Sequence, residues 1–236
     1  MEPKWGSERG AQPSSMSSQA EGPGNGGRRL RIGLLGGSFD PPHAGHLFVA
    51  EEALRKAGLD QVLFVPAARP PHKLDKVLSS GGDRVALLEV ALGGASELVI
   101  EELELDREGP SYTIDTVKEL LGRLGGGDEV ELFLIIGGDN LPGLGSWREA
   151  ELLLELVTPL VIDRGEDLEQ ALGEIEGSLP AHLLEKLRGG LLSLEPHPAS
   201  STAIRAMLGR GEDPGELLPA GCLEVVKEYG LYGYSE

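Results

Sequence analysis

Two histidines three positions apart are the residues of this chain best suited to chemistry on a phosphate. His43 and His46 close the segment GGSFDPPHAGH at 36–46, which follows an apolar run at 32–35 and leads into a helical pattern at 44–57. Glycines at a strand-to-helix turn let backbone amides approach a phosphate, and a helix N-terminus attracts negative charge. Because residues three apart share a helix face, both rings can point the same way. The segment predicts an anion site.

A second candidate anion site is the segment SSTAIR at 200–205. Hydroxyl residues at a helix start leave amide and side-chain donors available for a phosphate. Arg205 would lie on the same first turn and can form a fork of bonds to phosphate oxygens. Read alone, the segment is more typical of an ordinary helix cap followed by a surface arginine.

Three further segments offer groups for a nucleotide or its partner: RPPHK at 69–73, GPSYTIDT at 109–116, and IIGGDN at 135–140 with SWR at 146–148. Lys73 supplies a point charge for a phosphate. Asp139 could accept a hydrogen bond from a ribose or a base, and the rings of Tyr112 and Trp147 could line a flat ring. A solvated lysine, a helix cap and packed aromatic residues are the alternatives for the same positions.

Strand and helix patterns alternate along the chain. Strand patterns cover 31–35, 61–66, 98–103, 130–136, 159–162 and 191–194, and helical patterns cover 44–57, 83–92, 113–124, 147–156, 168–177, 180–187, 202–208 and 223–229. Asp83 is the expected N-cap of its helix, and Pro180 is expected in a first turn. The alternation predicts a doubly wound α/β fold with a parallel sheet and helices on both faces. Ligands bind such sheets beyond the carboxyl ends of the strands, where the candidate segments fall.

Length and composition fit one domain with a tail. The chain has 236 residues and 40% apolar residues, enough for a sizeable core. Residues 1–29 are rich in Gly, Ser, Pro and Gln and lack the apolar stretch of a signal peptide, so we expect a disordered tail before a domain at 30–236. The apolar runs are too short to span a membrane. The single cysteine, Cys222, excludes an internal disulfide framework and fits a reducing cytoplasm.

The net charge of the chain limits the kinds of molecule that it is expected to bind. A formal net charge of -18 argues against nonspecific nucleic-acid binding, which needs a basic surface. An anionic nucleotide then requires a few cations and amides focused in one cleft. The sequence contains no GxGxxG fingerprint and no GxxxxGK[ST] loop, which disfavours hydride transfer and P-loop hydrolysis. The five histidines show no metal-ligand spacing beyond the first pair, so a metal-dependent hydrolase is unsupported.

Together the five segments resemble those of bacterial nicotinate-nucleotide adenylyltransferases, in the nucleotidyltransferase superfamily, over roughly residues 30–232. The first and last segments are typical of the superfamily, and the middle three carry the choice of acceptor. The resemblance implies a Rossmann-like fold and a reaction in which ATP and nicotinate mononucleotide give deamido-NAD and pyrophosphate. It also implies Mg²⁺ carried by the ATP phosphates, with no metal site on the protein itself.

The resemblance assigns roles to individual residues. His43, His46 and Arg205 would be catalytic. ATP would be bound by Gly36, Gly37, Ser38, Phe39, Gly45, Asp139, Ser201 and Thr202, and the acceptor by Lys73, Tyr112, Thr113 and Trp147. The chain departs from the usual pattern at GGDN (137–140), at Ala199 and at RGE (164–166), which leaves a ligand role for Arg164 open.

Three alternatives stay open on the sequence. The same chemistry could act on nicotinamide mononucleotide or on phosphopantetheine, although the phosphopantetheine enzymes usually have threonine where His43 stands. A nucleotide-binding regulator without turnover is the alternative from another class. No nucleic-acid or membrane partner is expected, a cytoplasmic location is, and a homo-oligomer is left open.

Deletion of residues 1–29 should leave activity intact, because the tail is expected to contribute nothing to the core or the site. The check is pyrophosphate release by the truncated and full-length chains under the same conditions. A large loss of activity on truncation would contradict a passive tail.

Overall fold

A computed structural model describes residues 28–68, 78–163 and 168–235. Its centre is a six-stranded parallel sheet in the order β3-β2-β1-β4-β5-β6. The strands are β1 Leu30–Gly37, β2 Gln61–Pro66, β3 Leu98–Ile100, β4 Val130–Gly137, β5 Thr158–Asp163 and β6 Leu191–Ser193. The central register places Leu34 beside Leu63 of β2 and beside Leu134 of β4. The predicted parallel sheet is confirmed.

Helices cover both faces of the sheet, because alternate strand residues point to opposite sides. The helices are α1 Ala44–Ala57, α2 Gly81–Leu92, α3 Thr113–Arg123, α4 Leu141–Leu144, α5 Ala150–Leu156, α6 Leu168–Glu174, α7 Ala181–Gly189, α8 Ser201–Leu208 and α9 Cys222–Tyr229. Ile32 and Leu34 of β1 join a cluster with α3 to α7, and Leu35 joins one with α1 and α2. The predicted doubly wound architecture is confirmed.

Local backbone chemistry explains where the predicted helices differ from the observed ones. Asp83 was expected as an N-cap, but α2 starts two residues earlier and Ser80 is the cap; its Oγ accepts from the Asp83 amide at 3.1 Å. Glu149 has a left-handed φ of 50°, which delays the helix expected from 147 until Ala150. Pro180 lies one position before the first turn, as the N-cap of α7.

A third apolar cluster fixes the last two helices against α2. Leu87 packs there with Ile204 and Leu208 of α8 and with Cys222 and Val226 of α9. Burial raises the pKa of the Cys222 thiol to about 12, so this residue behaves as a small apolar side chain. This packing places α8 and α9 near the edge of the sheet where β1 ends.

The first described residues contact the body of the domain. Arg28 pairs with Asp60 at 2.5 Å, and Arg29 donates to the Gly127 carbonyl at 3.2 Å. The boundary of the tail stays a prediction, since residues 1–27 lie outside the described part. Within residues 28–68, 78–163 and 168–235, no helix has both the length and the apolar character to cross a bilayer.

Candidate functional site

Four of the five candidate segments follow strand ends at one edge of the sheet; the fifth, at 69–73, lies outside the described residues. Because the strands are parallel, the segments that follow β1, β3, β4 and β6 all start at this carboxyl edge. The strand order reverses next to β1, which leaves a crevice between the loops that follow β1 and β4. The histidine segment starts from β1 and Asp139 follows β4, so both lie at this switch point.

The two histidine rings are stacked at the start of α1. Their centroids are 3.6 Å apart and the ring planes differ by 20°, so both rings face the same side of the helix, as their spacing predicts. The His43 amide donates to Nδ1 of His46 at 3.1 Å. Since that nitrogen accepts, the proton of a neutral His46 ring resides on Nε2. His43 is buried and His46 is partly exposed.

Phe39 and Gly37 shape the floor beneath His46. Phe39 is buried and its ring meets the His46 ring edge-on at 5.0 Å. A Cβ on Gly37 would lie 3.0 Å from that ring, so a larger residue here would push the ring aside. Gly36 is exposed, and Ser38 is partly buried with its carbonyl accepting from Arg84 at 2.8 Å. In the structure the Phe39 ring supports His46, and its role in ATP binding stays a prediction.

The C-terminal candidate segment reaches the turn after β1. Ser200 caps α8, its Oγ accepting from the Ala203 amide at 3.2 Å. Ser201 Oγ donates to the Pro41 carbonyl at 2.9 Å. Arg205 Nη1 donates to the Asp40 carbonyl at 2.5 Å.

The guanidinium of Arg205 also touches its own helix start, because Nη2 donates to Thr202 Oγ1 at 3.4 Å. The hydrogen bonds of Ser201 and Arg205 to the turn after β1 span 160 and 165 positions of sequence. The two predicted anion sites are therefore adjacent in the fold.

A buried polar cluster beneath this turn escaped sequence reasoning. It consists of Asp40, Arg84 and Tyr232, with Asp40 at 3% and Arg84 at 2% exposure. A signal for Arg84 was present: it precedes Leu87 and Leu88 by three and four positions, on the buried stripe of α2. Tyr232 gave no such signal, because its partner lies 192 positions away.

A small, largely apolar cleft opens beside His43. Its lining comes from α1, β5 and the segment after β6, and includes His43, Gly45, Phe48, Ile162, Leu194 and His197. The His197 ring lies 5.7 Å from the Phe48 ring, and its Nδ1 accepts from the Ala199 amide at 3.2 Å. The walls suit a flat heteroaromatic ring. Sequence reasoning assigned His197 no role.

The predicted acceptor residues lie at the start of α3 and after β4. Tyr112 is the N-cap of α3 and Thr113 its first residue, both partly buried. The Arg148 guanidinium stands 4.8 Å over the Tyr112 ring, and Trp147 packs against the main core cluster. Asp139 is exposed in a 3₁₀ turn, Gly138–Asn140. Lys73 and Arg164 lie outside the described residues.

Comparison with known proteins gives consistent relatives. The profile of the cytidylyltransferase-like family matches residues 34–207. A probable nicotinate-nucleotide adenylyltransferase of Halalkalibacterium halodurans is 40% identical over 87% of this chain and 93% of its own length. Its counterparts in Pseudomonas fluorescens and Dehalococcoides mccartyi are 38% and 34% identical, each over 86% of this chain and 97% of their own.

A solved structure shares the fold at low identity. Plasmodium falciparum nicotinic acid mononucleotide adenylyltransferase complexed with NaAD superposes with a TM-score of 0.69 at 18% identity. The match covers 88% of this chain and 99% of that one. At this identity the likeness shows the fold alone.

Gly45→Ala should weaken ATP binding about tenfold without loss of stability. The new methyl would lie 3.1 Å from His43 Nδ1 and 3.3 Å from His197 Nδ1, so one or both rings must move into the cleft. Stability should hold, because alanine suits a helix better than glycine does and both rings border the cleft, into which they can move. Calorimetric titration measures the affinity for ATP, and a thermal melt measures the stability.

Gly122→Ala is the matched control, since it also lies in a helix and its added Cβ would meet nothing within 4 Å. We expect it to bind ATP as the unaltered chain does. Unchanged ATP binding by Gly45→Ala would contradict the packing role given to this glycine.

Proposed function

The chain belongs to the cytidylyltransferase-like family and, within it, to the nicotinate-nucleotide adenylyltransferases, and from that premise we propose how its carboxyl-edge crevice works. The reaction transfers AMP from ATP to nicotinate mononucleotide. An oxygen of the acceptor phosphate forms a bond to the α-phosphorus of ATP, the bond from that phosphorus to the bridging oxygen breaks, and pyrophosphate leaves. Deamido-NAD is the product.

The protein contributes position and charge rather than a strong base, because a phosphate monoester is already nucleophilic near neutral pH. Holding two reactants in line removes the entropic cost of bringing them together, and donors aimed at the phosphates stabilise the charge that builds up during transfer. His46 suits this task, since the bond from the His43 amide to Nδ1 directs the ring proton to Nε2. We assign His43 and His46 to the reacting phosphate.

One observation carries the proposal: the two predicted anion sites, far apart in sequence, contact each other at the turn after β1. Ser201 donates to Pro41 and Arg205 to Asp40, so α8 starts against the segment that holds the histidines. The α8 N-terminus and Arg205 then lie where the β- and γ-phosphates would extend from the histidine pair.

The observed hydrogen bonds refine how α8 would hold phosphate. A guanidinium has five N–H donors, so its bonds to Asp40 and Thr202 leave Arg205 capacity for phosphate oxygens. The Ser201 hydroxyl has one proton, which it gives to Pro41. Its phosphate contact would therefore come from its backbone amide at the helix start.

The remaining parts of the substrates fit the space around the crevice. The adenine would lie at the cleft beside His43, with Phe48 and His197 along its wall. Asp139, exposed after β4, is placed to accept from the ribose. Tyr112, Thr113 and Trp147 would surround the nicotinate ring, and Lys73 stays the predicted partner of the acceptor phosphate.

Mg²⁺ fits this site as a companion of the triphosphate. Among the residues that the structure describes, no three His, Cys, Asp or Glu side chains gather to hold a metal. The donors around the crevice are imidazoles, an arginine and amides, which suit anions, whereas Mg²⁺ prefers phosphate and water oxygens.

The reaction is proposed to take place in the cytoplasm.

The decisive experiment is pyrophosphate release from ATP and Mg²⁺ with three acceptors: nicotinate mononucleotide, nicotinamide mononucleotide and phosphopantetheine. We expect kcat/KM to be highest for nicotinate mononucleotide. A preference for either other acceptor would overturn the assignment of Tyr112, Thr113 and Trp147 while leaving the phosphate site in place. No release with any of them would overturn the function.

His46→Ala should fold normally and lose about 10²- to 10³-fold in kcat, the usual cost of one charge-stabilising contact. His182→Ala is the control, because that histidine is exposed on α7 and bonded to Glu155 at 2.7 Å. Steady-state rates and thermal melts of both variants make the comparison. Near-normal turnover in a folded His46→Ala protein would refute the proposed mechanism.

A further inference from the structure

Asp40 is a buried carboxylate directly beneath the proposed phosphate site. One oxygen, Oδ1, accepts from the Tyr232 hydroxyl at 2.8 Å, and the other, Oδ2, accepts from the Ser79 amide at 3.3 Å. A buried carboxylate is tolerated only when its oxygens are hydrogen-bonded and its charge is balanced. Tyr232 and Ser79 meet the first requirement from two separate parts of the chain.

Arg84 meets the second requirement. Its guanidinium donates to the carbonyls of Ser38 at 2.8 Å and Ser79 at 3.1 Å. Burial lowers the pKa of Arg84, and the negative charge of Asp40 opposes that shift. The cation thus balances the Asp40 charge while tying the turn after β1 to the start of α2.

Tyr232 brings a donor from the C-terminal end of the described chain. It lies in the 3₁₀ turn Leu231–Gly233 with a left-handed φ of 58°, and its ring packs against the third apolar cluster. Burial and the neighbouring Asp40 carboxylate raise the pKa of its hydroxyl far above the ordinary value. The hydroxyl therefore stays protonated and donates to Asp40.

Arg205 and Tyr232 both form hydrogen bonds with Asp40. Arg205 is bonded to the backbone carbonyl of Asp40, and Tyr232 to its carboxylate. We propose that Tyr232 and Asp40 are positioning residues that set the place of the Arg205 guanidinium and so the strength of triphosphate binding. The inference rests on the role proposed for Arg205 in ATP binding.

The proposed coupling predicts a particular pattern of effects. Without the Tyr232 hydroxyl, the Asp40 carboxylate loses a donor in a buried setting and the turn shifts to regain one. The carbonyl that anchors Arg205 moves with it, so the guanidinium no longer meets the phosphates as well. In a variant that lacks Arg205, the same shift of the turn should have no effect on ATP binding.

The test is a double-mutant cycle on ATP affinity, measured by calorimetry with ATP and Mg²⁺ and no acceptor. Tyr232→Phe removes only the hydroxyl and should raise the Kd for ATP about tenfold. In the Arg205→Met background, we expect Tyr232→Phe to change the Kd by less than about twofold. Tyr234→Phe is the matched control: this ring packs in the same cluster and faces Lys227, so ATP binding should stay unchanged.

Each other outcome contradicts the inference. Wild-type ATP affinity in Tyr232→Phe would show that the hydroxyl positions nothing. A tenfold effect that persists in the Arg205→Met background would show that Tyr232 acts on the fold and not through Arg205. If Tyr232→Phe does not fold, Asp40→Asn serves as the second variant, since the amide keeps the volume and one acceptor oxygen. In the Arg205→Met background, Asp40→Asn should likewise leave the Kd for ATP almost unchanged.

This cycle separates the inference from the proposed function. ATP affinity is measured without an acceptor, so a wrong acceptor assignment leaves the cycle unaffected. If Arg205→Met alone binds ATP as the unaltered chain does, the proposed role of Arg205 fails, and the positioning role of Tyr232 fails with it. If Arg205→Met weakens binding and the cycle is additive, only the positioning role fails.

Discussion

The turn after β1 is held in place by donors that come from the opposite end of the domain. Ser201 and Arg205 bond to the carbonyls of Pro41 and Asp40, and Tyr232 bonds to the Asp40 carboxylate. Residues 39–43 of this turn are buried, so its backbone oxygens cannot bond to water and need donors from within the domain. The bond from Arg205 in turn places its guanidinium beside the histidine segment.

An acidic chain can serve an anionic substrate because the relevant charges are local. The net charge is -18, yet the crevice gathers two imidazoles, Arg205 and the N-termini of α1 and α8. Backbone dipoles and buried cations act over a few ångströms, while the charges on the outer surface are screened by water and salt. The sign of the whole chain therefore says little about the potential at the site.

The fold was largely readable from the sequence, and the site was readable only in part. The bounds of α1 and β2 matched their patterns because each lies between strong local signals, such as the left-handed Gly58 at the end of α1. Asp83 failed as a cap because Ser80, which is equally suited, stands three positions earlier. Arg84, His197 and Tyr232 were not assigned to the site because their partners are fixed by tertiary packing, which single-sequence patterns do not encode.

The span of 192 positions between Asp40 and Tyr232 has a consequence for the order of synthesis. Translation delivers the histidine pair early, together with the central strand β1, while α8 and the Tyr232 turn emerge from the ribosome much later. A nascent chain thus carries the reactive side chains long before it carries the residues that orient them. During synthesis the crevice is therefore complete only once α8 and the Tyr232 turn have been made and have docked against the turn after β1.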